Sequence, residues 1–418
     1  MSQAPVDTAS MTFDQVLRGR AIHPVFQPIV CIDDGEIVGF EALARGPAGS
    51  PWAAPAALFA EAYRAGKGSE LDWVCRASAT RVFAAAGMPE SVSLFVNVEP
   101  SSFGSSCPPD LAQPLAAALA RHRRVVLEIT ERSVTRDPAG MLGAVEDMRR
   151  DAIAVALDDV GIEPSSLAMM PLIRPDVIKL DVTVIQGRTN RAVARIVNAV
   201  MAEAERTGAA ILAEGLESDR QLRVAQSMGA TLGQGCYFGV PEPSPAPPPA
   251  PRHPIDLLPA VDTTQPFTPF GAVRGRRLSQ GTEPLLRPLS LHLEYRCLDA
   301  TDPTVLLACF QDVDRFGEPT RRRYAQLAER GVFTAVLGRN MPPEPGPGIR
   351  GAHLDQADPI AREWTVIVLG SHFAAGLLAK ERDGEAGRGV FDFVVTHDRD
   401  VVIAAARPLI KRILAADS

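Results

Sequence analysis

Apolar residues gather into short unbroken runs along this chain, and each run ends on a polar residue able to do chemistry. Ile153-Ala154-Val155-Ala156-Leu157 ends in Asp158-Asp159, followed by Val160-Gly161. An apolar run of that length reads as a strand buried on both faces. The runs Ile37–Phe40, Leu94–Val96, Val125–Leu127, Val177–Ile178 and Ala210–Ala213 deliver Glu41, Asn97, Glu128, Lys179 and Glu214 in turn. Helical patterns separate them, and this alternation predicts an α/β fold, a (β/α)8 barrel with its site at the strand ends. Two adjacent acids repel unless a cation or water takes up their charge. Taken alone, Asp158-Asp159 reads equally well as a solvated loop with an Asp cap; its recurrence with the other strand ends favours a site.

Thr12 to Arg20 predicts an entry helix, and Val25–Val30 a first strand. Asp33-Asp34-Gly35 is a hairpin signal leading into Glu36–Phe40. A hairpin cannot join parallel strands, so the barrel should open with an antiparallel first strand. The expected organisation is a tail over 1–11, the barrel over 12–243, a Pro-rich linker over 244–265 and a smaller α/β domain over 266–416. Glu242 to Pro251 carries six prolines and reads as polyproline II, a semi-rigid spacer on the order of 30 Å. In the second domain Pro288–Tyr295, Val305–Phe310, Arg321–Arg330 and His372–Lys380 read as helices. Val332–Leu337, Trp364–Gly370 and Phe391–Thr396 read as strands, with a last helix after Asp400.

Composition narrows the function classes. A net charge of −7 over 418 residues argues against nucleic acid as the main partner. The clusters Arg121–Arg124 and Arg321–Arg323 read as solvated helix faces. Six cysteines without a Cys-x-x-Cys pair suit reduced thiols and no zinc ribbon. Met1 to Ser10 has neither a basic nor an apolar leader segment, and no run reaches the ~18 apolar residues of a membrane span. The expected location is cytoplasmic.

Phe26-Gln27-Pro28-Ile29-Val30 followed by Gly39-Phe40-Glu41-Ala42-Leu43-Ala44-Arg45 resembles the opening of the EAL family, bacterial phosphodiesterases that cleave cyclic di-GMP. The family's further motifs follow in order: Val96-Asn97-Val98-Glu99-Pro100, Leu127-Glu128-Ile129-Thr130-Glu131, Leu157–Gly161 and Ile178-Lys179-Leu180-Asp181. Ala213-Glu214-Gly215-Leu216-Glu217 and Gly233-Gln234-Gly235-Cys236-Tyr237-Phe238 complete the set. Tyr324–Arg330 and Thr396-His397-Asp398-Arg399-Asp400 resemble the DICT sensory domain found beside cyclic-di-GMP enzymes. His397-Asp398 reads as a helix cap rather than a catalytic dyad. The resemblance implies a homodimer through the barrel, and an unknown signal or protein partner at the second domain.

Cleaving a phosphodiester needs an activated water and a stabilised leaving oxygen, which two metal ions supply together. Glu41, Asn97, Glu128, Asp158 and Asp159 are the candidate ligands, and Asp159 is the natural bridge if two ions bind, since Asp158 already commits one carboxylate. An all-oxygen set without histidine selects Mg²⁺ or Mn²⁺. Lys179 among acids should stay an ammonium, orienting water and balancing phosphate charge. Glu214 is the candidate general base, and the resemblance also makes it a metal ligand. Asp181 either orients Lys179 or supports the ligands from behind. Arg45 can hold a substrate phosphate bidentately. Gln27 and Gln234 carry amides suited to a guanine edge or ribose, and Glu131 and Glu217 match family acids that brace loops.

Two departures stand out. The family continues Asp-Asp with Phe-Gly-Thr-Gly, a variable residue and Ser-Ser, where this chain has Val160-Gly161-Ile162-Glu163-Pro164-Ser165-Ser166. Glu99 replaces a small hydroxyl residue beside Asn97. The expected function is metal-dependent hydrolysis of cyclic di-GMP to linear pGpG, with activity lowered by the altered loop. The alternatives are a cyclic di-GMP receptor without turnover, acting through protein contacts, and a barrel serving as a docking platform.

Overall fold

A computed structural model of the chain describes residues 8–188, 190–257, 266–298, 300, 302–382 and 389–413. Most of the expected tail, residues 258–265 of the linker and residues 414–416 lie outside the described residues.

Eight strands close a barrel: β1 (His23–Cys31), β2 (Ile37–Arg45), β3 (Ser93–Asn97), β4 (Val125–Thr130), β5 (Ala154–Val160), β6 (Val177–Leu180), β7 (Ala210–Ala213) and β8 (Leu232–Gln234). Only β1 runs against its neighbours, antiparallel to both β2 and β8. The cause is the tight turn at Gly35, whose φ of +72° suits a residue without a side chain. Here β2 is longer than its apolar run suggested, so Glu41 sits in mid-strand opposite Gln27.

The helices between strands are α1 (Phe13–Arg18) ahead of β1, then α2 (Pro55–Arg64), α3 (Gly68–Ala85), α4 (Pro109–Arg121), α5 (Glu131–Arg136), α6 (Pro138–Arg150), α7 (Met170–Ile173), α8 (Val182–Gln186), α9 (Arg191–Thr207) and α10 (Asp219–Ser227). Thr12 starts α1 with a capping box to Gln15. Apolar residues at the barrel end where β2 to β8 begin and the reversed β1 finishes, among them Ile29, Val38, Val126, Ala154 and Val177, form one buried layer. The polar residues lie toward the other end, as barrel packing leaves room for.

The Pro-rich run does not hang free as a spacer. Glu242 exchanges backbone hydrogen bonds with Phe26, and Arg252 is held by Glu36 through its backbone N–H and its guanidinium, both at 2.7 Å. Ile255 then buries itself in that apolar layer of the barrel. The segment is a strap along the barrel wall. Proline's missing N–H costs nothing there, because no ladder partner is needed.

The second region is a seven-stranded sheet in the order β12-β11-β10-β13-β14-β15-β9. Its strands are β9 (Ser279–Thr282), β10 (Thr304–Asp312), β11 (Phe333–Arg339), β12 (Ile349–His353), β13 (Glu363–Gly370), β14 (Ala374–Glu381) and β15 (Val390–Thr396). Its helices are α11 (Glu283–Leu298), α12 (Glu318–Glu329) and α13 (Arg399–Ile410). Val305–Phe310, expected as a helix, lies in β10, and His372–Lys380 lies largely in β14. Ala, Leu and Lys favour helix, but pairing with β13 on one side and β15 on the other overrides that preference.

Alternate residues of β10 go to different cores. Leu306 and Ala308 pack toward the core that includes α11 and α12 residues, while Val305, Leu307 and Cys309 join a cluster shared with α13 and the barrel. The 3-10 turn Pro164–Ala168 touches β10 and β13, and α13 packs on α6 and α7. Lys411–Glu146 at 2.5 Å and Arg206–Asp400 at 3.0 Å close the rim of this contact.

Candidate active site

Lys179 is the centre of the barrel's polar end. It is 1% exposed, and its Nζ lies 2.6 Å from Glu128, 2.9 Å from Asp158, 2.9 Å from Glu214 and 3.7 Å from Glu41. Burial opposes its charge, but Asp158, Glu128 and the other acids outweigh it, so the ammonium is held well above the usual lysine range. Glu128 moves the other way: burial, then Glu41, pushes its carboxyl well up. Burial also pushes Glu214 up to about 8, against the pull of Lys179. Asn97 Nδ2 donates to Glu41 and to Glu128, each at 3.0 Å, which leaves its carbonyl oxygen as the remaining donor for a cation.

A regular strand sends neighbouring side chains to opposite faces. β5 escapes this with a bulge: Leu157 pairs with Ile178 and Val160 with Leu180, so Asp158 and Asp159 together oppose Lys179. Asp159 takes a left-handed φ of +59°, uncommon outside glycine but tolerated by Asp. The result brings carboxylate oxygens of Asp158, Asp159 and Glu214 within 4.8 Å of one another. Four acids, Glu41, Glu128, Asp158 and Glu214, share one ammonium, and Asp159 adds a fifth carboxylate beside them. An all-oxygen set with this excess of negative charge fits a hard divalent cation.

The loop after Asp159 is held by Glu131. Its carboxylate accepts from Gly161 N at 2.8 Å, Ile162 N at 3.2 Å and the Ser166 hydroxyl. Gly161 has a φ of +116°, and a Cβ there would meet Val184 at 2.5 Å. Glu163, by contrast, is extended at φ −121°, so no glycine is needed at that position. Val160 is fully buried, which leaves little room for the family's aromatic.

Other expected residues fall in different places. Asp181 does not contact Lys179; it caps α8, accepting from the Thr183 N–H at 2.8 Å and the Thr183 hydroxyl. The Glu217 carboxylate is exposed, and the bond described there is its backbone N–H to Gln221. Gln234 is buried and donates to Glu41 at 2.6 Å and to Gln27 at 3.2 Å, so its amide nitrogen positions a carboxylate. Its Oε1 has no protein partner. Gln27 donates onward to the Gly239 carbonyl at 3.2 Å. Arg45 lines a cavity of about 180 Å³ with Asn97, Glu99 and Asp72. The Tyr63 hydroxyl donates to Glu99, and buried Asp72 accepts from the Glu99 N–H at 3.1 Å. Tyr63 and Asp72 escaped the sequence reading, because each sits in a helix pattern with no motif around it.

Residues 11–241 match the EAL domain family, more than half of the chain. The chain belongs to the EAL domain family. Residues 275–382 match DICT, described as a sensory domain in diguanylate cyclases and two-component systems. The EAL stretch is 31% identical over 229 residues to the cyclic di-GMP phosphodiesterase RocR of Pseudomonas aeruginosa, covering 52% of this chain and 57% of that relative. It is 29% identical over 241 residues to the probable cyclic di-GMP phosphodiesterase PdeG of Escherichia coli, covering 55% of this chain and 47% of that one. The chain thus spans about half the length of these relatives. Among solved structures, the manganese and cyclic di-GMP complex of Klebsiella pneumoniae BlrP1 at pH 6 aligns with a TM-score of 0.49 and 27% identity, over 55% of this chain and 58% of that one. No helix among the described residues of this EAL protein is long and apolar enough to cross a membrane.

Proposed function

We propose that the EAL barrel hydrolyses cyclic di-GMP to linear pGpG with the help of Mg²⁺ or Mn²⁺. The observation that carries this reading is the trio Asp158, Asp159 and Glu214, whose oxygens lie within 4.8 Å of one another at the carboxyl ends of the barrel strands. Asp158, Asp159, Glu214, Glu41, Glu128 and the carbonyl of Asn97 would hold the cations. When bound, two such ions supply an activated water and stabilise the leaving oxygen.

The chain's own residues set the stage for that chemistry. Lys179 neutralises part of the acidic cluster from behind, its ammonium already surrounded by carboxylates. Gln234 and Asn97 fix the Glu41 carboxylate from two sides. Arg45, which lines the cavity beside Asn97, would take a substrate phosphate. The clustering of Glu214 with the two aspartates favours a cation-holding role over that of a free general base. Asp159 is coupled to its loop through Glu131, and the altered Val160–Ser166 segment is the reason to expect modest activity.

The test incubates the full chain with cyclic di-GMP and Mn²⁺ or Mg²⁺ and follows linear pGpG by chromatography. Product should form with metal and vanish with excess EDTA. Turnover in EDTA would remove the metal reading. Binding of cyclic di-GMP by calorimetry without any pGpG would select the receptor alternative.

A further inference from the structure

The C-terminal sheet carries a second concavity, on the side covered by α11 and α12 and well apart from the acidic cluster. Its volume is about 440 Å³, within the range of small-molecule sites. It lies at the carboxyl end of β10, where the chain passes into α12, beside the start of β13. Ligands of open α/β sheets gather at such strand ends. Leu291, Phe310, Pro319 and Trp364 give it apolar walls.

Its polar groups are unequal in how far they are already matched. Glu294, 2% exposed, accepts from Arg323 Nε at 2.7 Å and from the Tyr324 hydroxyl at 3.0 Å, so that acid and that guanidinium are engaged. Glu283 is different: it pairs with Arg287 and stands 4.0 Å from Arg315, one carboxylate between two guanidiniums. Each guanidinium carries five N–H donors, so Arg287 and Arg315 can both reach an incoming carboxylate while each keeps a donor toward Glu283. The third acid of the lining, Asp314, is exposed and screened by water. Trp364 lines the cavity with its ring, while its Nε1 is buried away from solvent and donates to no protein group. The cavity therefore combines apolar walls with two guanidiniums at its exposed edge.

We propose that this cavity binds a small planar aromatic carboxylate, its ring against the apolar walls and its carboxylate on Arg287 and Arg315. Arginine forks suit a planar carboxylate better than a point charge would. The site is independent of hydrolysis in the barrel, and its test does not involve turnover.

The full chain is labelled with 5-fluorotryptophan, which gives fluorine signals for Trp52, Trp73 and Trp364. The Trp364 signal is assigned by its absence in Trp364→Phe. Titration with 2-naphthoate should shift the Trp364 signal saturably and leave the other two in place. The neutral 2-naphthalenemethanol should bind more weakly, and the exposed pair Arg287→Ala with Arg315→Ala should weaken naphthoate on the order of tenfold. Circular dichroism confirms that the double variant is folded. No saturable shift of Trp364, equal binding of the neutral analogue, or equal movement of all three signals would overturn the proposal.

Discussion

β5 of the barrel and β10 of the C-terminal sheet end in the same backbone device. Each loses register with a neighbour near its carboxyl end, β5 between Leu157 and Val160 and β10 between Cys309 and Asp312. Each places a residue other than glycine in the left-handed region, Asp159 at φ +59° and Gln311 at φ +62°. What surrounds them differs. Beside Asp159, four further acids share one lysine. Near Gln311, the buried acid Glu294 has its own arginine and a tyrosine hydroxyl. A bulge marks where a strand end is re-aimed; the charge balance around it tells what is awaited there. An excess of carboxylates asks for a cation, whereas matched ion pairs around an apolar hollow leave room for an organic guest.

The largest effect should come from taking away the single ammonium. Lys179→Met leaves four neighbouring carboxylates without their shared counter-charge, and turnover of cyclic di-GMP should fall roughly a thousandfold or more, the scale for losing a preorganised charge. The comparison variant Arg323→Met sits in the matched cluster and should leave turnover within about twofold as long as the protein is folded. Steady-state rates at saturating Mn²⁺ decide it. A Lys179→Met enzyme keeping a tenth of its rate would mean the ammonium does not organise the acids.

The next effect is on stability and separates the two clusters directly. Glu294→Gln breaks a matched buried pair and should cost about 3 kcal/mol. Glu128→Gln removes one of five crowded acids and, with chelator present, should be neutral or stabilising. Urea midpoints in EDTA give both values. Equal losses at the two sites would erase the distinction between a balanced and an unbalanced cluster.

Sequence carried the barrel unusually far, because most of its apolar runs lead into a residue whose chemistry the fold does not require. The hairpin at Gly35 announced the reversed first strand, and Glu41, Glu128, Asp158 and Glu214, acids on or just after four different strands, meet at Lys179. What escaped depends on partners distant in sequence. β14 is written in helix-forming residues and becomes a strand only because β13 and β15 flank it. The prolines after Glu242 predicted a spacer, but Arg252 and Ile255 tie the segment to the wall and the lower layer of the barrel. The doublet Asp158-Asp159 suggested metal, whereas the bulge that lets both acids oppose Lys179 has no signature in composition. Asp181 is expected either to orient Lys179 or to support the ligands from behind, and its described hydrogen bonds go to Thr183 in the first turn of α8.

The smallest effect concerns two carboxyls that each brace a loop. Burial pushes Glu131 up to about 7 although Ser166, Gly161 and Ile162 donate to it, and burial likewise pushes Glu363 up to about 7 although it accepts from Phe270 N at 2.9 Å. Below the ordinary carboxyl value of 4.5 each group is protonated in both folded and unfolded chains. Between that value and about 7 the unfolded chain loses its proton first. Stability therefore falls as pH rises through this window and is level above it. Each group should remove about 2 kcal/mol between roughly pH 5 and pH 6.5. Glu131→Gln and Glu363→Gln should each flatten the slope of urea midpoint against pH, and by similar amounts. Their effect on turnover should differ. Glu363 braces the entry to the C-terminal sheet, so its variant should hydrolyse cyclic di-GMP as the parent does. Glu131 holds the backbone of Gly161 and Ile162, which follows directly on Asp159. Its variant should lose about threefold to tenfold in kcat, less than 1.5 kcal/mol of barrier, because a freed loop lets Asp159 drift. Equal kcat in the two variants would show that the loop and Asp159 move independently.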